Sequence, residues 1–140
     1  MSMPYETPDE ATIQKGLAIA KSANERAYAP YSNFPVSAAL YLRDRDEIIP
    51  GVNVENASFG GTICAERSAF VSAISRDGSV DPGFIIVYTR QETLTPPCGI
   101  CLQFMNEFVE GDFPVYLFNQ NGQRRNLVFD DLLPVRFKNF

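Results

Sequence analysis

Three cysteines, Cys64, Cys98 and Cys101, are the residues of this 140-residue chain whose type and spacing suit them to chemistry. Cys64 lies in "TICAERSAF", followed two positions later by Glu66 and three later by Arg67. Cys98 and Cys101 form a C-x-x-C directly after Pro97. A C-x-x-C on its own fits a redox dithiol, half of a metal site or coincidence, and a free cysteine is commonly a small buried hydrophobe. Histidine is absent, which removes Ser-His and Cys-His nucleophiles and every His-liganded metal site. An odd, small number of cysteines argues against a disulfide framework. If the three thiolates meet, they make a zinc site whose fourth position is open, and open positions belong to catalytic rather than structural zinc. Glu66 is better placed to address that open position as an acid and base than to bind metal beside Cys64.

The elements that must bring these residues together read as follows. "TPDEATIQKGLAIAKSANERAY" predicts an amphipathic helix with Thr7 as N-cap, Pro8 in the first turn, and Ile13, Leu17, Ala20 and Ala27 on its apolar side. "APYSNF" is a turn-rich connector. "PVSAALYL" and "EIIPGVNVENA" predict two antiparallel strands around the charged turn "RDRDE". "CAERSAFVSAISRDG" is a helix ended by Gly78, and "FIIVYT" is a fully buried strand. The second cysteine-bearing helix, in "CGICLQFMNEFVEG", is expected to close at Gly111. "PVYLFN" and "RRNLVF" form an antiparallel pair across the Asn-Gly turn of "QNGQ", and "DDLLPVRF" gives a short helix stopped near Pro134.

This order implies an α/β fold: a three-layer αβα sandwich around a mixed five-stranded sheet whose last two strands are antiparallel. The passage through "CAERSAF" is expected to be a right-handed crossover joining parallel strands. Both cysteine-bearing helix starts then fall at one edge of the sheet, and the three sulfurs converge. At 45% hydrophobic and 21% charged residues, the composition is that of one globular domain over residues 1–140. A net charge of −5 argues against nucleic-acid partners, which need clustered Lys and Arg. No apolar run approaches the roughly 20 residues of a membrane span. The acidic, proline-containing "MSMPYETPDE" is no targeting peptide, so a cytoplasmic location is expected.

"C-A-E" followed by "P-C-x-x-C" resembles the zinc-dependent nucleoside and nucleobase deaminases, most of all the small homotetrameric cytidine deaminases. "YAPYSNFPVSAAL", "GVNVENASFGGTICAERSAF", "PPCGICLQF" and "LLPVRF" are similar to that family's blocks in order and spacing. The resemblance implies one Zn2+ per chain on Cys64, Cys98 and Cys101, with Glu66 as proton shuttle. It implies that Asn53 and Glu55 contact the ribose, that Phe34 stacks on the pyrimidine and that the Ala65 backbone reads the base edge. Arg67 would bond to the zinc thiolates, and Phe137 would reach a neighbouring subunit's site in a tetramer. The implied activity is hydrolytic deamination of cytidine or 2′-deoxycytidine in pyrimidine salvage.

Two positions depart from the pattern. Ser37 stands where the family has Gly and is expected to add bulk near the nucleoside; Leu102 stands where the family has Arg. They leave open a modified or antibiotic cytosine nucleoside (blasticidin S type, or N4-substituted cytidine) as substrate. A non-catalytic zinc module serving assembly is the alternative from another class, and it requires a fourth protein ligand that the sequence does not supply.

Overall fold

The structure is a computed structural model and describes residues 4–138. The first helix, α1 (Glu10–Asn24), is capped by Asp9, whose carboxylate accepts from the Thr12 N–H at 2.7 Å. The cap is therefore two residues later than Thr7, and Pro8 lies outside the helix. Asp9 has the extended backbone an N-cap needs and a charged acceptor to offer the first turn. Ile13, Leu17 and Ala20 form the buried side as expected, but the helix ends before Ala27.

Strands β1 (Val36–Leu42) and β2 (Glu47–Val52) pair antiparallel, from Ser37 opposite Val52 to Leu42 opposite Glu47. Asp46, in the left-handed region at φ 46°, makes the reversal. The second strand stops at Val52, shorter than the sequence suggested; beyond it Val54 makes only isolated bridges to Tyr28 and Ile63. Helix α2 (Ala65–Asp77) follows, closed by Gly78 in the left-handed conformation that glycine adopts without a Cβ clash. Strand β3 (Pro82–Thr89) is buried along its whole length. Helix α3 (Gly99–Met105) leads to β4 (Pro114–Phe118), then β5 (Arg124–Val128) and the one-turn α4 (Phe129–Leu132).

The sheet order is β2-β1-β3-β4-β5. Only β3 and β4 pair in parallel, while β4 and β5 close as the antiparallel hairpin expected around Gly122. The crossover through α2 does join strands of one direction, but β2 and β3 are not neighbours. β1 lies between them, antiparallel to both.

Alternation along the strands builds two cores. Ala38, Leu40, Leu42, Ile85 and Val87 face α2 and α3. Ala39, Phe84, Ile86 and Tyr88 face α1. The three-layer sandwich and its mixed sheet thus follow the sequence pattern. The α2 layer lies very close to β2: a Cβ built on Gly51 would lie 2.3 Å from the Ala65 carbonyl and 2.5 Å from the Ala69 amide nitrogen. Glycine is required there so that the start of α2 can rest on the strand.

Helix α3 ends at Met105, about half the length the sequence suggested. Asn106 is fully buried, and its carbonyl accepts from Lys138 Nζ at 3.0 Å while its side-chain amide donates to the Phe137 carbonyl at 3.2 Å. A carbonyl taken up by the tail is one that a continuing helix would have used.

Candidate active site

Cys64 is the N-cap residue of α2, Cys98 is the N-cap of α3, and Cys101 lies in the first turn of α3. Neither N-cap sulfur makes a capping hydrogen bond to the backbone of its helix. Because the two helices start at the same edge of the sheet, the three Sγ atoms lie within 4.8 Å of one another. The Cys64 and Cys98 sulfurs are 3.7 Å apart. A tetrahedral zinc site with bonds of about 2.3 Å has sulfur–sulfur edges of about 3.8 Å, so the pair is already at ligand spacing. The donor set fits zinc: soft thiolates, no imidazole, and no fourth Cys or His in the chain.

The electrostatics fit as well. Three thiolates exceed a divalent cation by one negative charge, and Arg67 supplies the compensating positive one. Its Nη2 donates to the Thr62 carbonyl at 3.1 Å and to Cys64 Sγ at 3.7 Å. Its Nε is buried without a hydrogen-bond partner. Hydrogen bonding from Cys101 pulls the Cys64 thiol down to about 5 against the effect of burial, with Arg67 and Cys98 assisting. Cys101, the buried donor of that bond, is pushed up correspondingly.

Glu66 is 4% exposed, in the first turn of α2. Burial pushes its carboxyl up to about 7, and the Cys64 sulfur adds to the rise against its own backbone N–H and Arg67. A carboxyl poised near neutrality exchanges protons in both directions at physiological pH. Ala65 is fully buried and opens α2, so its N–H belongs to the first-turn donors that have no acceptor within the helix.

A second cluster lies where the chain leaves β2. Asn53, 8% exposed, donates through Nδ2 to the Phe34 carbonyl at 2.9 Å and accepts at Oδ1 from the Val36 N–H at 3.0 Å. Glu55 Oε1 accepts from the N–H groups of Tyr31 and Ser32 at 2.9 and 3.1 Å, and Oε2 accepts from the Ser32 hydroxyl. Phe34 is half-buried, and its N–H donates to Ser32 Oγ at 3.0 Å. Asn53 and Glu55 therefore hold the loop that presents Phe34. The Phe137 carbonyl accepts from Gln103 Nε2 at 3.1 Å and from Asn106, which fastens the tail to α3 and leaves Phe137 64% exposed.

Ser32 escaped the sequence reading. Its signal was the S-x-F spacing, in which a serine hydroxyl accepts from the backbone N–H two residues on. The Ser37 hydroxyl is buried; it donates to the Ala20 carbonyl at 2.6 Å and accepts from Asn24 Nδ2 at 3.2 Å, which ties β1 to α1. Leu102 packs, 8% exposed, in the core shared by α2 and α3.

Residues 10–117 match the model of the family described as the cytidine and deoxycytidylate deaminase zinc-binding region. The chain belongs to this family. It is a zinc-dependent deaminase, with the three-cysteine cluster as its site for one metal ion. The deaminase is 42% identical over 125 residues to a protein named cytidine deaminase from Sporosarcina psychrophila, covering 89% of this chain and 90% of that one. Its fold superposes on a crystal structure of cytidine deaminase from Burkholderia pseudomallei with a TM-score of 0.81 at 40% identity, over 89% of this chain and 98% of the other. A blasticidin-S deaminase from Bacillus cereus is a more distant relative, 25% identical over 133 residues.

Proposed function

We propose that the deaminase hydrolyses cytidine and 2′-deoxycytidine to uridine and 2′-deoxyuridine with release of ammonia. The observation that carries this is the buried Glu66 beside the three-cysteine cluster, where Arg67 donates to the Cys64 sulfur. Its agreement with relatives named for cytidine supports the substrate. Cys64, Cys98 and Cys101 would hold the zinc, which would lower the pKa of a water to about 7 and so supply the nucleophile at neutral pH.

Glu66 accepts the proton that the attacking water gives up and delivers it to N3 of the ring as the new C–O bond forms at C4. It then takes the remaining proton from the C4 hydroxyl and passes it to the amino nitrogen. The C–N bond breaks, ammonia leaves, and a carbonyl remains at C4. The Ala65 backbone and the Phe34 ring hold the base. Asn53 and Glu55, next to Phe34, hold the ribose hydroxyls.

Residues 1–140 act as one domain, and the working form is a homo-oligomer, a tetramer, in which Phe137 completes a neighbour's site. The exposed apolar side chains of Tyr28, Tyr31, Phe59, Ile100 and Phe137 support such an assembly. No helix among the described residues is long and apolar enough to cross a membrane. A cytoplasmic role in pyrimidine salvage is consistent with that and with the nucleoside substrate.

The test is ammonia release, or the ultraviolet change on deamination, measured with cytidine, 2′-deoxycytidine, cytosine and an N4-substituted cytidine. Preference for the two unmodified nucleosides is expected. Turnover confined to the N4-substituted compound, or none with any, overturns the reading. Ser37 and Leu102, the two positions that pointed to a modified substrate, are both accounted for by packing within the chain.

A further inference from the structure

We infer that Ser32 is a positioning residue for nucleoside binding, acting by setting the orientation of the Glu55 carboxylate. This rests on the reading of Glu55 as a sugar contact. An ionised carboxylate offers about four acceptor sites. Both on Oε1 are filled by the N–H groups of Tyr31 and Ser32, and one on Oε2 is filled by the Ser32 hydroxyl. One acceptor site on Oε2 remains for a ligand, and Ser32 Oγ decides where it points.

The serine is itself held in place. Its Oγ accepts from the Phe34 N–H at 3.0 Å, the intervening Asn33 is in the left-handed region at φ 55°, and the Asn33 N–H donates to the Ala29 carbonyl at 3.0 Å. The Glu55 N–H and the Tyr28 carbonyl, 2.8 Å apart, fix the other side of the clasp. One hydroxyl thus connects the sugar contact to the loop that carries the base-stacking Phe34. Without it, the Glu55 carboxylate keeps its two backbone donors on Oε1 but loses the one contact that orients Oε2.

The test compares the zinc-loaded wild-type enzyme with Ser32→Ala, Ser32→Thr and Glu55→Ala. The substrates are cytidine and 2′,3′-dideoxycytidine, which lacks the 2′- and 3′-hydroxyls; the latter is followed as a competitive inhibitor of cytidine if its turnover is slow. Ser32→Ala is expected to raise KM for cytidine about tenfold, the worth of one hydrogen bond to a charged group, with kcat unchanged. Ser32→Thr, which keeps the hydroxyl, should restore most of the loss. With dideoxycytidine, Ser32→Ala should bind as the wild type does.

An equal loss on both ligands would make Ser32 a loop-packing residue and overturn the inference, as would an unchanged KM for cytidine. Glu55→Ala separates this failure from that of the underlying reading. A Glu55→Ala penalty that disappears with dideoxycytidine upholds Glu55 as the sugar contact even when Ser32 fails. A penalty indifferent to the sugar removes Glu55 from the site, and the Ser32 inference with it.

Discussion

Glu66 combines two properties that seldom occur together: it is nearly fully buried, and it stands one residue from an arginine that already has partners in the Thr62 carbonyl and Cys64 sulfur. Under the proposed mechanism the carboxyl moves the protons while Arg67 stays with its own partners. Glu66→Gln should keep the zinc and the melting temperature of the parent while losing turnover on the order of 10⁴-fold, the upper end for acid–base groups, because one carboxyl serves every transfer. Retention of a tenth of the activity would remove it from the mechanism. Cys98→Ser should lose zinc to a chelator far more readily than the parent, and the melting temperature should fall with it, since metal binding is linked to folding. An equal zinc content in the two proteins would exclude Cys98 as a ligand. These residues were legible in the sequence because, without histidine, three cysteines and a glutamate leave few chemistries open. Ser32 was not, because its meaning depends on a carboxylate 23 residues away.

The elements deliver the sulfurs through close approach rather than through length. Helix α2 lies on β2 only because Gly51 leaves room for the Ala65 carbonyl and the Ala69 amide. Gly51→Ala would drive a methyl into backbone that cannot step aside, so it should cost about 1–3 kcal/mol and displace Cys64 from the other two sulfurs. Denaturant unfolding and zinc retention should both report the change. Gly16→Ala is the control. Its Cβ would crowd only the Ile86 Cδ1 terminus, at 2.8 Å, which a side-chain rotation relieves; the Phe84 and Ile48 atoms at 3.7 and 3.8 Å would be in ordinary contact. Alanine's helix preference of up to about 1 kcal/mol over glycine offsets that strain, and the net change should be close to zero. Equal losses for the two variants would show that Gly51 is not what seats α2.

Sequence pattern sufficed for the β1–β2 hairpin, the all-apolar β3 and the glycine stop of α2, because each is set by local periodicity or a single cap. It failed for the end of α3. That end is set by Lys138 at the Asn106 carbonyl, a contact across 32 residues that no local window contains. The neighbour of β3 was not specified by the pattern, since alternation fixes which face of a strand is buried but not which strand lies beside it.

At the scale of the whole molecule, the tail raises the question of assembly. The resemblance implied that Phe137 reaches a neighbouring subunit's site; the tail that carries it folds back on its own chain. Gln103 and Asn106 hold the Phe137 carbonyl, Lys138 reaches the Asn106 carbonyl, and the Arg136 guanidinium donates to the Val109 carbonyl and lies 4.9 Å from the centre of the Phe129 ring. These hydrogen bonds engage the tail through its backbone and cationic side chains, and the Phe137 residue is 64% exposed. Burying such a side chain against another subunit gains roughly 1.5–3 kcal/mol, which a tetramer collects at each equivalent contact. Removing residues 135–140 should therefore loosen the end of α3, the helix that carries Cys98 and Cys101, and lower zinc retention together with activity. Phe137→Ala is the more selective change. It leaves the backbone anchors in place, so zinc content and the unfolding of the isolated chain should match the parent, while light scattering should show weaker association and cytidine turnover should fall. A fully active monomer at micromolar concentration would refute the shared site. An intact tetramer with parental activity in Phe137→Ala would confine the Phe137 ring to packing.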